Sequence, residues 1–314
     1  MSKCVLLIGG AGTLGSYTAE ELLKIGYNVD IICLEDMHSE EDRLNYFKAV
    51  ADKEYLEGFL RNRYYNGIIN FIHYISVDTY KPIHQLLSKK TDHLIFLSSY
   101  RVYADLEHPI TENSPRLLNT TEDKYFLEKE TYAVPKSKIE DYLRGESETE
   151  NWTIVRPVIS FSKRRMDLVT RSEREIIDMA KTGEIITLPA EAKDMTAGLD
   201  WAGNSGKLIT HLLFKECDFR EAYTISTAQN LKWGEVADIY ADFLNARFRW
   251  ISVDDYIKEN EKVRKDPFIL KYDRLFDRKI DNQKVLMATG LKKDDFVSVR
   301  DGIKYELSQI ENEF

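Results

Sequence analysis

The stretch CVLLIGGAGTLGSYTAEELLKIGYNVDIIC constrains this chain more than any other. Cys4 to Ile8 is an unbroken apolar run, as a strand buried on both faces should be. It ends at once in glycines spaced GxxGxxG, at Gly9, Gly12 and Gly15. Ser16 to Ile25 then has helical periodicity and stops at Gly26, and Val29 to Leu34 reads as a second strand. Strand, tight turn, helix and strand make a parallel βαβ unit. Glycines so placed let the backbone, with Thr13 and Leu14 inside the turn, approach a pyrophosphate closely. The helix start then offers its N–H groups and the positive end of its dipole. The bland alternative is a glycine turn with no ligand, and the flanking strand and helix favour a dinucleotide.

Further apolar runs follow in GIINFIHYI, HLIFLSS and WTIVRPVIS, separated by helical stretches such as Lys53 to Arg61 and Tyr80 to Leu87. Alternating strands and helices predict an α/β fold, a Rossmann-type doubly wound parallel sheet. After about residue 160 charged helical segments take over, RSEREIIDMAK and WGEVADIYADFL, with short strands in AYTIS and FRWIS. These predict a smaller C-terminal α+β lobe. The expected division is a nucleotide-binding domain over 1–157 and a substrate lobe over 158–314, with a soft boundary across which segments interleave.

An acidic residue ending the second strand favours NAD, and a nearby arginine favours NADP. Here the strand ends IICLED. Cys33 stands at the usual acidic position, with Glu35 and Asp36 slightly late and Arg43 the first cation after them. The pattern leans to NAD and leaves NADP open; the alternative for Glu35 and Asp36 is a solvated loop.

With 314 residues the chain can bury a sizeable core, and its net charge of −9 argues against nucleic acid or an anionic membrane as main partner. Cys4, Cys33 and Cys217 show no paired spacing, which suits a reducing cytoplasm. The six histidines form no ligand pair, so no metal site is expected. The first apolar run is too short for a signal peptide or a membrane span.

TYAVPKSKIED sets Tyr132 and Lys136 one helical turn apart on one face. A phenol with a pKa near 10 is a poor base, but an ammonium one turn away stabilises the phenolate. Tyrosinate can then take a proton from a substrate hydroxyl as hydride leaves the same carbon. A third group should hydrogen-bond the substrate oxygen, and FLSSYRVYAD offers Ser98 and Ser99 after a strand. The alternative is two surface residues on a helix disturbed by Pro135. Proline is tolerated in a first turn, where its missing N–H has no helical partner, and Thr131 is the expected N-cap.

GGAGTLG, SSYRVY, PITENSP, YAVPKSKIE and VRP occur in that order. With them the chain resembles an extended short-chain dehydrogenase/reductase of the NAD-dependent epimerase/dehydratase family, over nearly its whole length. The resemblance implies Ser99 as the catalytic serine, Tyr132 as acid/base and Lys136 as its partner. It also implies a role in cofactor binding for the glycine turn, for Lys136 and for Pro157. The expected activity is hydride transfer on a nucleotide-activated sugar, by an epimerase, dehydratase or ketoreductase. Arg164 and Arg165 are candidate ligands of a substrate diphosphate, a solvated loop being the alternative.

Several positions depart from the family. Ala49 replaces the first acidic residue of a DxxD pattern, leaving Asp52, which could simply cap a helix. His73 is expected to pack structurally, and Trp201 and Trp233 to belong to the core. The segment from Ser76 to Ser98 is about twenty residues shorter than usual. That trims a crossover helix which helps build the family dimer, so a homodimer is left open. RPVISFS lacks the YGP turn. These departures keep two alternatives alive: an NADPH-dependent reductase of a small carbonyl compound, and a non-catalytic cofactor-sensing or RNA-associated protein.

Overall fold

The glycine turn and its helix stand at the centre of a seven-stranded sheet in a computed structural model, which describes residues 3–215 and 219–311. Cys217 lies outside the described residues. In chain order the strands are β1 (Cys4–Ile8), β2 (Asn28–Cys33), β3 (Leu44–Lys48), β4 (Tyr65–Asn70), β5 (Thr91–Leu97), β6 (Trp152–Pro157), β7 (Ile159–Phe161), β8 (Ile185–Pro189), β9 (Leu199–Trp201), β10 (Ala222–Ile225) and β11 (Arg247–Ile251). The main sheet is ordered β10-β6-β5-β4-β1-β2-β3, and every pairing in it is parallel. This is the doubly wound arrangement expected. Val5 to Ile8 are wholly buried because helices cover both faces of the sheet.

Two elements differ from expectation. LNYFK forms β3, an edge strand whose mixed polarity hides it from a search for apolar runs. AYTIS was assigned to the C-terminal lobe, but β10 pairs with β6 in the main sheet. The helix Ala202–Leu212 likewise returns to pack on the helix Thr13–Lys24. That approach is close: a Cβ on Gly206 would lie 2.8 Å from the Thr18 backbone nitrogen. The second half of the chain thus contributes a strand and a helix to the first layer.

The remaining lobe holds two small parallel sheets, β11 with β8 and β7 with β9. Its core gathers Ile186, Leu188, Trp233, Tyr240 and Ile303. Trp233 is core, as expected; Trp201 is half-buried, its indole N–H donating to Glu306 at 2.6 Å. Ser76 caps the crossover helix Val77–Leu87, and Asp52 caps Lys53–Phe59 by accepting from Tyr55 N at 2.8 Å. Among the described residues, no helix is long and apolar enough to cross a membrane, and no group of three or more His, Cys, Asp or Glu could hold a metal.

Candidate active site

The strands β1, β5 and β6 end on one edge of the parallel sheet, with β4 between β1 and β5, and the candidate residues hang from those ends. Gly9 sits at φ +74°, and its N–H donates to Ile32 O at 2.8 Å, extending the β1–β2 ladder into the start of the turn. Gly15 is squeezed: a Cβ there would lie 2.4 Å from Gly10 O. Gly12, the N-cap of the helix Thr13–Lys24, is different. A Cβ there would meet nothing within 4 Å, so no protein contact demands a glycine. The space beside it is open, as a backbone that receives a phosphate requires.

Tyr132 and Lys136 lie at the start of the helix Ala133–Gly145. The expected N-cap was Thr131; the structure puts Tyr132 there and gives the capping role to Glu130. The Glu130 Oε2 accepts from the N–H of Tyr132 and of Val134, both at 2.9 Å. A carboxylate at a helix start also suits the dipole. Pro135 is the third helical residue, one of those whose N–H has no intrahelical acceptor, so it costs no hydrogen bond. His73 rests with Nε2 2.7 Å from Thr131 O, a structural contact.

Lys136 is 2% exposed, and its Nζ donates to Leu97 O at 2.6 Å and lies 5.1 Å from the centre of the Tyr132 ring. Burial brings its ammonium below the ordinary lysine range, with Tyr132 and Glu140 pulling it partly back. Burial would push the Tyr132 phenol up. The Lys136 ammonium, a hydrogen bond with Ser99 and the guanidinium groups of Arg101 and Arg165 outweigh it and hold the phenol below its ordinary value. Every other tyrosine whose pKa departs from the ordinary value is raised. Tyr132 is therefore the tyrosine whose surroundings favour phenolate.

Ser98 and Ser99 divide their work. The Ser98 hydroxyl donates to Glu140 Oε1 at 2.5 Å in the buried interior, whereas Ser99 faces Tyr132. Glu140 also takes Arg156 Nε at 2.9 Å and Nη2 at 2.5 Å. Arg156 Nη1 reaches Tyr103 Oη at 2.9 Å and Glu112 O at 3.0 Å. The arginine of VRP, the glutamate of YAVPKSKIE, the tyrosine of SSYRVY and the glutamate of PITENSP are thus one buried network. It fixes the helix Ala133–Gly145 against the ends of β5 and β6.

A cavity of about 290 Å³ joins the glycine turn to this pair; Thr13, Leu14, Ser99, Tyr132, Pro157 and Arg165 line it. A second cavity, about 450 Å³, opens on the other side of Tyr132 into the C-terminal lobe and shares Arg101, Tyr132, Ile269 and Arg274 with the first. Arg274 ends a π-helical turn, Leu270–Arg274. Arg101, Glu130 and Arg274 were missed from sequence. Arg101 alone carried a local signal, standing two residues after Ser99.

Other candidates lie elsewhere. Arg164 donates to Ala11 O on the glycine turn, while Ser162 donates to Thr13 Oγ1 at 3.0 Å. Arg164 therefore sits on the turn and lines neither of the two cavities beside Tyr132. Arg165 grips Asp167 Oδ2 with Nε at 3.1 Å and Nη2 at 3.0 Å. Cys33 is buried at the end of β2 and Glu35 is exposed beyond it. The sequence offers no cation next to them, but the structure does: Lys48 is in register with Cys33 across β2–β3, and its Nζ lies 3.2 Å from Asp36. Arg43 instead bonds Leu23 O and Glu41.

No protein-family model matches the sequence, and no curated protein matches it significantly. Solved structures match over nearly the whole chain. The Bordetella bronchiseptica enzyme WbmG in complex with NAD and UDP superposes with a TM-score of 0.71 at 16% identity, covering 100% of this chain and 96% of that one. UDP-glucose 4-epimerase from Thermotoga maritima with UDP-glucose gives 0.70 at 14% identity, with 99% of each chain covered. UDP-glucose 4-epimerase from Thermus thermophilus with NAD gives 0.67 at 18% identity, covering 97% of this chain and 98% of that one. At these identities the likeness shows a shared fold: the chain has the Rossmann-type architecture of these proteins over nearly its whole length.

Proposed function

We propose that the protein is an NAD-dependent enzyme acting on a nucleotide-activated sugar by hydride transfer at a carbinol carbon, as an epimerase, dehydratase or ketoreductase. One observation carries this: a single cavity holds the open glycine turn, Ser99 and the one phenol held below its ordinary pKa. The residues present fit a dinucleotide. The space beside Gly12 admits a pyrophosphate, and the N–H groups of Thr13 and Leu14 begin a helix there. The bound cofactor supplies the hydride acceptor. Ser99 holds the substrate oxygen, Tyr132 takes its proton, and Lys136 stabilises the phenolate from below. The neighbours solved with NAD, UDP or UDP-glucose support the same class of ligand.

The test has two parts. Denaturing the purified protein and identifying the released nucleotide by mass spectrometry should give NAD. Tyr132→Phe should keep cofactor affinity and lose roughly a hundredfold or more in turnover; unchanged turnover refutes the mechanism. A second reading, an NADPH-dependent reductase of a small carbonyl compound, draws on Lys48 beside Cys33. An empty site that prefers NADPH in titration would select it.

A further inference from the structure

Four arginines meet at the junction of sheet and lobe, and three of them have used their donors. Arg156 bonds Glu140, Tyr103 and Glu112. Arg274 bonds Val169 O, Tyr100, Asp273 and Asp167. Arg278 bonds Asp273, Tyr103 O and Tyr272 O. Arg101 is the exception. Its one side-chain hydrogen bond runs from Nη2 to Glu130 at 3.3 Å, and its buried Nε has no hydrogen-bond partner, Asp273 being 3.7 Å away. The side chain is only 16% exposed. Its guanidinium lies 4.9 Å over the Tyr132 ring, in the wall common to both cavities.

The fold does not need this cation for charge balance. Without Arg101, Asp273 keeps Arg274 and Arg278, and Glu130 keeps the two backbone N–H groups of its cap. Holding a nearly buried guanidinium with unspent donors is costly unless a ligand takes them. A guanidinium fork matches the two oxygens of a carboxylate.

We propose that Arg101 binds a carboxylate carried by the substrate sugar beside the carbon presented to Tyr132. The preferred substrate is then a nucleotide-linked sugar acid rather than a neutral sugar. This rests on the nucleotide-sugar reading above and narrows it. Position favours the carboxylate over the diphosphate. When C4 of a pyranose faces Tyr132, a carboxylate on C5 is next to it, while a diphosphate on the anomeric carbon is across the ring.

The test is calorimetric titration of the purified protein with UDP-glucuronate and with UDP-glucose. Wild type should bind the glucuronate at least about tenfold more tightly, and Arg101→Gln should weaken it roughly 10- to 100-fold, bringing the affinity ratio toward one. Arg101→Lys keeps the charge and loses the fork, so it should fall between the two. It carries the test if Arg101→Gln does not fold, as judged by thermal melting. Equal affinity of wild type for both sugars, or a preference that survives in the variants, overturns the role of Arg101 alone. Binding of neither sugar overturns the nucleotide-sugar reading, and this inference with it.

Discussion

Replacing Lys136 by Met should raise the pKa of the Tyr132 phenol. Lys136 Nζ lies 5.1 Å from the centre of the Tyr132 ring. At an effective dielectric constant of about 20, an ammonium and a phenolate about 5 Å apart attract by about 3 kcal/mol. The sign follows from the charges: the ammonium favours phenolate, so its loss favours the neutral phenol. Proton abstraction, lost as pH falls through the phenol pKa, would then survive only at more alkaline pH. The assay needs no substrate. Carbon-13 labelling of tyrosine at the hydroxyl-bearing carbon gives NMR signals that titrate, and Tyr132→Phe identifies the one that belongs to Tyr132. Its midpoint should lie below the ordinary tyrosine value in wild type and move up in Lys136→Met. A wild-type midpoint at or above the ordinary value, or an unmoved midpoint in the variant, refutes the argument.

The glycine turn separates structural from ligand-imposed need. Gly15→Ala puts a Cβ against Gly10 backbone and should abolish folding or lower the melting temperature sharply. Gly12→Ala meets no protein atom, so stability should change by under about 1 kcal/mol while calorimetric NAD affinity collapses. Retained affinity would remove the pyrophosphate from that position. The two serines should also part company. Ser98→Ala strips a donor from buried Glu140 and should cost about 1–3 kcal/mol in urea denaturation with turnover kept. Ser99→Ala should spare stability and lower turnover. Glu140→Gln leaves Arg156 buried with a weakened partner and should cost about 3–5 kcal/mol in the same denaturation measurement.

Most of the fold, and the local placement of the candidate residues, were legible in the sequence, because they rest on local signals. The run Cys4 to Ile8, the glycines after it and the helix that follows need only neighbours in sequence to be read. The Tyr132–Lys136 spacing is one helical turn, and Pro135 is accommodated because it falls in the first turn. What escaped depends on contacts between distant segments. LNYFK has no apolar run and becomes a strand only through pairing with β2. AYTIS carries the strand pattern, but nothing in it says that its partner is β6 rather than a strand of its own lobe.

The sequence by itself determined the class of fold and the one-turn spacing of Tyr132 and Lys136, since strand, turn and helix periodicities are properties of short windows. Only the tertiary structure decided what surrounds that pair. It put Lys48 beside Cys33 through strand register, Arg164 on the glycine turn, Glu130 as the cap of the helix Ala133–Gly145, and Arg101 over the Tyr132 ring. A charged side chain shows in sequence only that it is charged. Whether its guanidinium is hydrogen-bonded to Asp273, as for Arg274, or stands 3.7 Å from it in a cavity wall, as for Arg101, is set by packing among segments up to 174 residues apart.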